Sequence, residues 1–283
     1  MTTLGKLYET GVNALKTAGY DDAVYSIRIL LEELLGASAA VLYAHPERPV
    51  TSEDEKRLIL AVERIADGEP LGYVLGHSEF MGLSFSVDPS VLIPRPETEN
   101  LVEWILEEQK GKEACFLDIG TGSGAIAISL LTFDPAMKGV ACDISEQALK
   151  TAAQNAQDLE VSDRLVFCQS DLFTNVPETR FDFIVSNPPY ISHKDMEELP
   201  PPVRKEPETA LYGGPDGLDI YRRIIREAKE HLVSGGAIYF EIGYDQGHSV
   251  PALLQEQGFT DIEVRKDYAG LERMVRAHAP SND

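Results

Sequence analysis

The stretch Phe116-Leu117-Asp118-Ile119-Gly120-Thr121-Gly122-Ser123-Gly124 decides the fold. An apolar run that ends in closely spaced glycines and continues into the helix-like residues 125–131 predicts a buried strand, a tight turn and a helix. Glycines let the backbone bend sharply and approach a ligand, and the first turn of the helix presents free N–H groups. The stretch therefore predicts a ligand site at the carboxyl end of a parallel strand.

Strand-like and helical segments mostly alternate around this stretch. Such alternation predicts an α/β fold with a mainly parallel, doubly wound sheet covered by helices on both faces. Residues 262–264 and 273–276 are separated by too few residues for a crossover helix, so they should close the sheet as an antiparallel hairpin. The other predicted strands are residues 114–119, 139–143, 164–169, 181–186 and 237–242, and the predicted helices are residues 125–131, 146–157, 218–232 and 250–257.

The amino-terminal part has a different pattern, and 283 residues suit one large and one small domain. Apolar residues recur there at helical spacing, which predicts a small helical bundle in residues 1–75. An alternating segment around Gly82 predicts a β-hairpin linker in residues 76–90. Residues 91–283 would form the second domain, beginning with an amphipathic helix capped by Glu97 or Thr98. The apolar series in the bundle is Val24, Ile27, Leu30, Leu31, Leu34 and Leu35.

The formal net charge of −22 bears on the class of partner. Residues 1–70 carry 7 Lys and Arg against 12 Asp and Glu, a balance of −5, which leaves −17 for the rest. A protein that grips phosphates needs a surplus of Lys and Arg, so we expect no stable nucleic-acid binding. A basic protein is the better partner. Without an apolar run of roughly 18 residues or a signal-peptide pattern, we expect a cytoplasmic chain with no membrane contact.

The cysteines and histidines carry no predicted chemistry. Cys115, Cys142 and Cys168 lie far apart without a CxxC pair and are expected to be buried thiols. The histidines, including His77 and His231, lack the paired spacing of metal ligands, so we predict no metal site.

The glycine spacing favours S-adenosylmethionine as the cofactor. It is GxGxG, unlike the GxGxxG of dinucleotide folds or the GxxxxGK[ST] of phosphate loops. Asp143 ends the next predicted strand, where a carboxylate can accept both ribose hydroxyls. Asp171 and Leu172 follow the third, where they could contact the adenine amino group and ring. Either aspartate could instead be a solvated cap. Asp118 could hold the amino group of the methionine moiety or accept N–H groups of the glycine turn. The predicted cofactor-binding residues are Gly120, Thr121, Gly122, Ser123, Gly124, Asp143, Asp171, Leu172 and Asn187.

The tetrapeptide Asn187-Pro188-Pro189-Tyr190 follows the fourth predicted strand and should lie at the same sheet edge as the glycines. Prolines lack N–H and fix φ, which leaves rigid backbone carbonyls unpaired. A planar amide nitrogen is a weak nucleophile. If the Asn187 side-chain oxygen and the Pro188 carbonyl each accept one N–H, the nitrogen is oriented towards a methyl donor, with Tyr190 packed on its plane. These four residues are therefore the predicted catalytic and substrate-binding set, although Asn-Pro also occurs in ordinary turns.

Together these features resemble the N5-glutamine methyltransferases of peptide chain release factors. The resemblance rests on the glycine stretch, on Asn187-Pro188-Pro189-Tyr190, on Ile93-Pro94-Arg95-Pro96-Glu97-Thr98-Glu99, on Glu206-Pro207 and on Ala210-Leu211-Tyr212-Gly213-Gly214-Pro215-Asp216-Gly217-Leu218. It implies a class I (Rossmann-like) methyltransferase fold and a helical amino-terminal domain, which we expect to recognise the substrate.

The resemblance also implies a substrate and a set of roles. The acceptor would be the side-chain amide of the glutamine in the Gly-Gly-Gln motif of release factors, whose methylation supports translation termination. The glycine loop, Asp143 and Asn187 would hold the cofactor, and the tetrapeptide would hold the glutamine. Some relatives have tryptophan in place of Leu172, so stacking on adenine would be lost here.

Some alternatives stay open. Arg95 is a candidate substrate-binding residue that could clamp the substrate loop or brace the site wall. Glu241 could lie near the site or be a solvated strand end. The rival activities are methylation of a nucleic-acid amino group, at adenine N6, cytosine N4 or guanine N2, and a non-catalytic binding module. The chain is expected to be a monomer.

Overall fold

The computed structural model describes residues 2–281, which divide into two compact units. The first unit runs to Gly76 and includes the later segment Pro200–Lys205. The second contains His77–Leu199 and continues from Glu206.

The first unit is a helical bundle. Leu15, Ile27, Leu30 and Leu31 are buried in its core, whereas Val24 of the same apolar series is largely exposed. Side chains of Thr3, Ser38 and Thr51 accept N–H groups at the starts of three of its helices, so local sequence sets those helix starts. The helices are α1 (Leu4–Thr17), α2 (Ala23–Leu35), α3 (Ala39–Ala44), α4 (Ser52–Ala66) and α5 (Leu71–Leu75).

The second unit begins with an antiparallel hairpin of β1 (His77–Phe80) and β2 (Leu83–Ser86). Phe80 and Phe85 are buried in the core of this unit. The Asn155 side chain accepts the Ser86 N–H at 2.8 Å and donates to the Ser86 carbonyl at 3.0 Å. The hairpin is therefore packed into the second unit through both apolar and polar contacts.

Within the described residues, the main sheet has seven strands in the order β5-β4-β3-β6-β7-β9-β8. The strands from β5 to β7 are parallel, and β9 runs antiparallel to both of its neighbours. This confirms the predicted doubly wound α/β sheet with a terminal antiparallel hairpin. The strands are β3 (Cys115–Ile119), β4 (Lys138–Asp143), β5 (Leu165–Gln169), β6 (Phe181–Ser186), β7 (Leu232–Glu241), β8 (Thr260–Lys266) and β9 (Glu272–His278).

The order of the strands creates a switch point between β3 and β6. From β3 the chain proceeds outward through β4 and β5, and it then returns to place β6 on the other side of β3. In open α/β sheets, the carboxyl ends of strands at such a point leave a crevice for ligands. The glycine loop follows β3 and the Asn187 tetrapeptide follows β6, so both segments leave the sheet beside this crevice.

Helices cover both faces of the sheet. Neighbouring residues of β3 alternate between two cores, since Phe116 packs with α6 and α7 while Leu117 packs with α10 and α11. Among residues 2–281, no helix combines the length and the apolar character needed to cross a bilayer. The helices are α6 (Pro96–Gln109), α7 (Ala125–Phe133), α8 (Glu146–Asp158), α9 (His193–Met196), α10 (Asp219–His231) and α11 (Ser249–Glu256).

Two local predictions were wrong. Helix α6 begins at Pro96 with Arg95 at the N-cap, so neither Glu97 nor Thr98 caps it, because proline is well suited to the first helical position. Of the three cysteines, Cys142 is buried, but Cys115 and Cys168 are half-exposed. Cys115 begins its strand and Cys168 lies on the edge strand β5, where one side of the strand has no neighbour.

Candidate functional site

A cavity of about 440 Å³ lies in the second unit at the carboxyl ends of β3, β4 and β6. This volume is in the range of small-molecule sites. Of the predicted site residues, Gly124 and Tyr190 do not line it: Gly124 is the N-cap of α7, and the Tyr190 hydroxyl contacts Glu241. Those that do are Arg95, Gly120, Thr121, Gly122, Ser123, Asp143, Asp171, Leu172, Asn187, Pro188 and Pro189.

The glycine loop depends on left-handed backbone. Gly120 and Gly122 have φ values of 71° and 56°, which side chains rarely tolerate, although a Cβ at either would meet nothing within 4 Å. The N–H groups of Gly120 and Thr121 both donate to the Cys142 carbonyl, at 2.9 and 3.0 Å. These bonds anchor the loop to β4, so contacts within the protein hold this wall of the cavity in place.

Asp143, at the end of β4, is held in place by backbone donors. Its Oδ2 accepts the Gly122 N–H and its Oδ1 accepts the Ser145 N–H, both at 2.9 Å. Burial raises the pKa of this carboxyl, while these N–H groups act in the opposite direction. Each oxygen keeps a further lone pair, so the side chain can still accept a pair of hydroxyls.

Asp118 lies beneath the glycine loop and is only 1% exposed. Its Oδ2 accepts from the Thr121 hydroxyl at 2.7 Å, so a side chain and not the glycine N–H groups pairs with this oxygen. Its Oδ1 makes no hydrogen bond to the described residues, although the nearby Ala127 N–H lowers the pKa. Burial dominates and raises the pKa of Asp118 to about 7.

Asp171 is half-exposed and forms an ion pair that local sequence patterns did not reveal. Both of its oxygens accept from Nη2 of Arg223, at 2.8 Å, and Arg223 also lines the cavity. The adjacent Leu172 has a left-handed φ of 53°, and its carbonyl accepts from the Ser170 hydroxyl at 2.7 Å. This carbonyl bond helps to hold the strained turn that brings Leu172 to the cavity.

The tetrapeptide is fixed by the segment that follows α9. The Ile191 N–H donates to the Leu211 carbonyl, and the Gly213 N–H donates back to the Ile191 carbonyl, both at 2.9 Å. Gly213 approaches so closely that a Cβ there would stand 2.6 Å from the Pro189 carbonyl oxygen. The Gln246 side chain donates to the Tyr190 carbonyl at 3.2 Å. Leu211 and Gly213, which belong to the segment that carries the family resemblance, thus support the backbone around Asn187-Pro188-Pro189-Tyr190.

The Asn187 side chain ends a chain of polar contacts. Its Nδ2 donates to the Thr98 hydroxyl oxygen at 3.3 Å, and that hydroxyl donates to Glu241 Oε2 at 2.5 Å. The Tyr190 hydroxyl is 3.4 Å from Glu241 Oε1. Glu241 is 1% exposed and so is not a solvated strand end, and burial raises its pKa to about 7. Burial, followed by the charge of Glu241, raises the pKa of Tyr190.

Arg95 braces the wall of the cavity. Its Nη2 donates to Oε1 of the buried Glu206 at 2.5 Å, and the other Glu206 oxygen accepts the Ile93 N–H at 3.2 Å.

Glu99 accepts the Met81 N–H at 2.7 Å, in the turn of the β1–β2 hairpin. Among the described residues, no group of three or more His, Cys, Asp or Glu side chains forms a candidate metal site.

Comparison with known proteins identifies the family. Residues 6–76 match the PrmC N-terminal domain, and residues 96–199 match the Methyltransferase small domain. The release factor glutamine methyltransferase of Coxiella burnetii is 42% identical over 252 residues, which cover 88% of this chain and 89% of that protein. That of Cereibacter sphaeroides is 42% identical over 271 residues, covering 95% and 96%. This chain belongs to the release factor glutamine methyltransferases.

Membership of this family confirms the resemblance based on the glycine stretch and the Asn187 tetrapeptide, and it does not favour the nucleic-acid alternative. The methyltransferase fold is also found in a solved methyltransferase from Pyrococcus furiosus. That protein is 19% identical, with a TM-score of 0.55, and the likeness covers 81% of this chain and all of that one. At this identity the likeness shows the fold alone.

Proposed function

We propose that this chain methylates the side-chain amide nitrogen (N5) of the glutamine in the Gly-Gly-Gln motif of peptide chain release factors, with S-adenosylmethionine as methyl donor. The observation that carries the proposal is the cavity lined by both the glycine loop and Asn187-Pro188-Pro189, in a chain 42% identical to release factor glutamine methyltransferases. Such methylation would support translation termination in the cytoplasm, where we place the protein as a monomer.

The residues of the cavity fit S-adenosylmethionine. Asp143 has acceptor capacity left for two ribose hydroxyls. Asp118 lies beneath the glycine loop and not in the cavity lining, and its Oδ1, which has no hydrogen-bond partner in the described residues, would attract an ammonium group through water or after a small movement of the loop. Leu172 supplies an apolar surface and Asp171 an acceptor for the adenine. When bound, this cofactor would supply a methyl group from a positively charged sulfur. The S–C bond would break as the N–C bond forms, which leaves S-adenosylhomocysteine, and the proton lost by the substrate nitrogen would pass to water.

The protein's own contribution is to orient a weak nucleophile. In this proposal the Asn187 side-chain oxygen and the Pro188 carbonyl each accept one N–H of the substrate amide, while Tyr190, which does not line the cavity, supports these residues from its contact with Glu241. Fixing the amide plane removes the rotational freedom that makes attack improbable in water. The bonds from Gln246 and from the 211–213 segment hold the Tyr190 and Ile191 backbone that directly follows these acceptors. Because catalysis would come from orientation, this proposal needs no strong base.

We further propose that the amino-terminal unit recognises the release factor as a protein. Its residues 6–76 match the PrmC N-terminal domain, and Tyr25, Tyr43 and Leu60 are exposed on it. Replacing all three with serine should raise KM for intact release factor while leaving kcat on a short Gly-Gly-Gln peptide unchanged. Equal effects on both substrates would reject this role.

The decisive assay offers the protein S-adenosylmethionine labelled in its methyl group together with purified release factor, transfer RNA or DNA. We expect one methyl group on the release factor and none on nucleic acid. A release factor with alanine in place of the Gly-Gly-Gln glutamine should remain unlabelled. Label on nucleic acid, with none on the release factor, would overturn the proposal.

A further inference from the structure

Two buried residues outside the tetrapeptide, Thr98 and Glu241, form hydrogen bonds with its side chains. Thr98 lies in the first turn of α6 and is 4% exposed, and Glu241 ends β7. The Thr98 hydroxyl oxygen is 3.3 Å from Asn187 Nδ2 and 2.5 Å from Glu241 Oε2. Three elements distant in sequence therefore meet behind one side-chain amide.

The direction of these hydrogen bonds follows from the chemistry of the groups. When Glu241 is ionised, its carboxylate only accepts, so the single hydroxyl hydrogen of Thr98 is donated to Glu241. The Thr98 oxygen can then act towards Asn187 only as an acceptor. Asn187 must turn its NH2 group to Thr98, which directs its oxygen away from Thr98.

We propose that Thr98 and Glu241 are positioning residues whose hydrogen-bond chain fixes the Asn187 side chain with its oxygen towards the substrate amide. This inference rests on the proposed function, because an acceptor is needed there only if the substrate presents N–H groups. With the amide of Asn187 reversed, its NH2 would face the substrate NH2, and neither could accept from the other.

The second oxygen of Glu241 extends the same arrangement to Tyr190. The Tyr190 hydroxyl donates to Oε1 at 3.4 Å, while the Tyr221 hydroxyl donates to the Glu241 backbone carbonyl at 2.7 Å. Tyr221 is fully buried, and its hydrogen bond fixes the backbone at the end of β7. Glu241 therefore sets the hydrogen-bond direction of two members of the tetrapeptide at once.

The kinetic test compares variants of Thr98 in the full chain. Thr98→Val keeps the shape but removes the hydroxyl, and it should lower kcat on release factor by about ten- to a hundredfold, as misplaced reacting groups do. Cofactor affinity should stay within about twofold, which also shows that the site is folded. Thr98→Ser should restore most of the rate. Thr132→Val, which removes a part-buried hydroxyl bound to the Ile128 carbonyl on α7, is the matched control and should match wild type.

A second measurement tests the hydrogen bonds between Glu241, Thr98 and Asn187 without any methyl-accepting substrate. In the ¹⁵N-labelled full chain, the Asn187 side-chain NH2 resonances, assigned by their loss in Asn187→Ala, should shift and exchange faster with solvent in Thr98→Val and in Glu241→Gln. Unchanged resonances, or wild-type kcat in Thr98→Val, would overturn the inference. Shifted resonances without methylation of release factor by wild type would instead overturn the proposed function alone.

Discussion

The Ser186 hydroxyl donates a hydrogen bond of 2.7 Å to the Ile119 carbonyl oxygen. Ser186 is the last residue of β6 and Ile119 the last residue of β3, so this bond joins the strand that leads into the tetrapeptide to the strand that leads into the glycine loop. The two halves of the candidate site are thus connected at the switch point of the sheet.

Loss of this bond should weaken the site and the fold together. Ser186 is fully buried, so Ser186→Ala should lower the free energy of unfolding by about 1–3 kcal/mol, since the Ile119 carbonyl loses a buried donor. Denaturant unfolding followed by the fluorescence of Trp104, the only tryptophan and a buried residue of the second unit, measures the change. An unchanged midpoint would show that the bond adds nothing.

Asp143 should be important for cofactor affinity. Asp143→Asn replaces one acceptor with an NH2 group that faces a backbone N–H, either that of Gly122 or that of Ser145. We expect S-adenosylmethionine to bind about ten- to a hundredfold more weakly in calorimetry, the usual cost of losing hydrogen bonds to a charged group. Asp163→Asn, at an exposed carboxylate of the same unit, is the control and should bind normally. Equal affinity in both variants would contradict the predicted role of Asp143.

Several of the predicted site residues lie together because they follow the ends of neighbouring parallel strands. The glycine loop, Asp143 and Asn187 each directly follow or end a parallel strand, and parallel strands end at one edge, so their convergence follows from the pattern alone. The mainly parallel sheet and the terminal hairpin followed from the same alternation and from the short gap between the last strands, whereas the order of the strands became known only from the structure.

Pairings between residues distant in sequence were beyond the reach of sequence patterns. Thr98 meets Glu241 across 143 residues, Arg95 meets Glu206 across 111, and Arg223 meets Asp171 across 52. Thr98 in particular resembles a helix cap in sequence, but Pro96 begins the helix earlier and turns Thr98 inward. Only the packed structure decides such pairings.

The rate should depend on the ionisation of Glu241. Its pKa is raised to about 7 by burial and further raised by Glu97, while Thr98, Arg273 and Asn187 lower it. Tyr190 and Tyr221 also face this carboxyl. Protonated Glu241 can donate its own hydrogen to Thr98, and the Thr98 hydroxyl is then free to donate to Asn187, so the orientation of the Asn187 amide is no longer fixed. We therefore expect kcat to rise with pH through about 7.

Glu241→Gln provides the control for this pH dependence, because it cannot ionise and should remove the rise near pH 7. The same raised pKa has a consequence for stability, since a carboxyl with a raised folded-state pKa stabilises the fold at low pH. That contribution is complete below the unfolded value and is lost as pH rises through about 7. Thermal melts of wild type and Glu241→Gln across pH 5–8 measure this loss of stability. For the kinetic prediction, identical pH profiles of kcat in wild type and Glu241→Gln would be the contradicting result.

Leu172 offers a gain-of-affinity test. It lines the cavity, and its left-handed φ of 53° would be equally strained for any larger side chain, so the backbone need not change. Leu172→Trp should bind S-adenosylmethionine about two- to tenfold more tightly, because a stacked aromatic pair adds about 0.5–1.5 kcal/mol beyond its buried area. Calorimetry gives the affinity. Equal or weaker binding would show that Leu172 does not face the adenine.

Mass spectrometry of the release factor after reaction tests the central claim most directly. Wild-type enzyme and S-adenosylmethionine should add one methyl group, located by fragmentation on the glutamine of the Gly-Gly-Gln motif, and Asn187→Ala should bind the cofactor but add none. A methyl group on another residue, or an unmodified release factor in the presence of enzyme that binds the cofactor, would contradict the account.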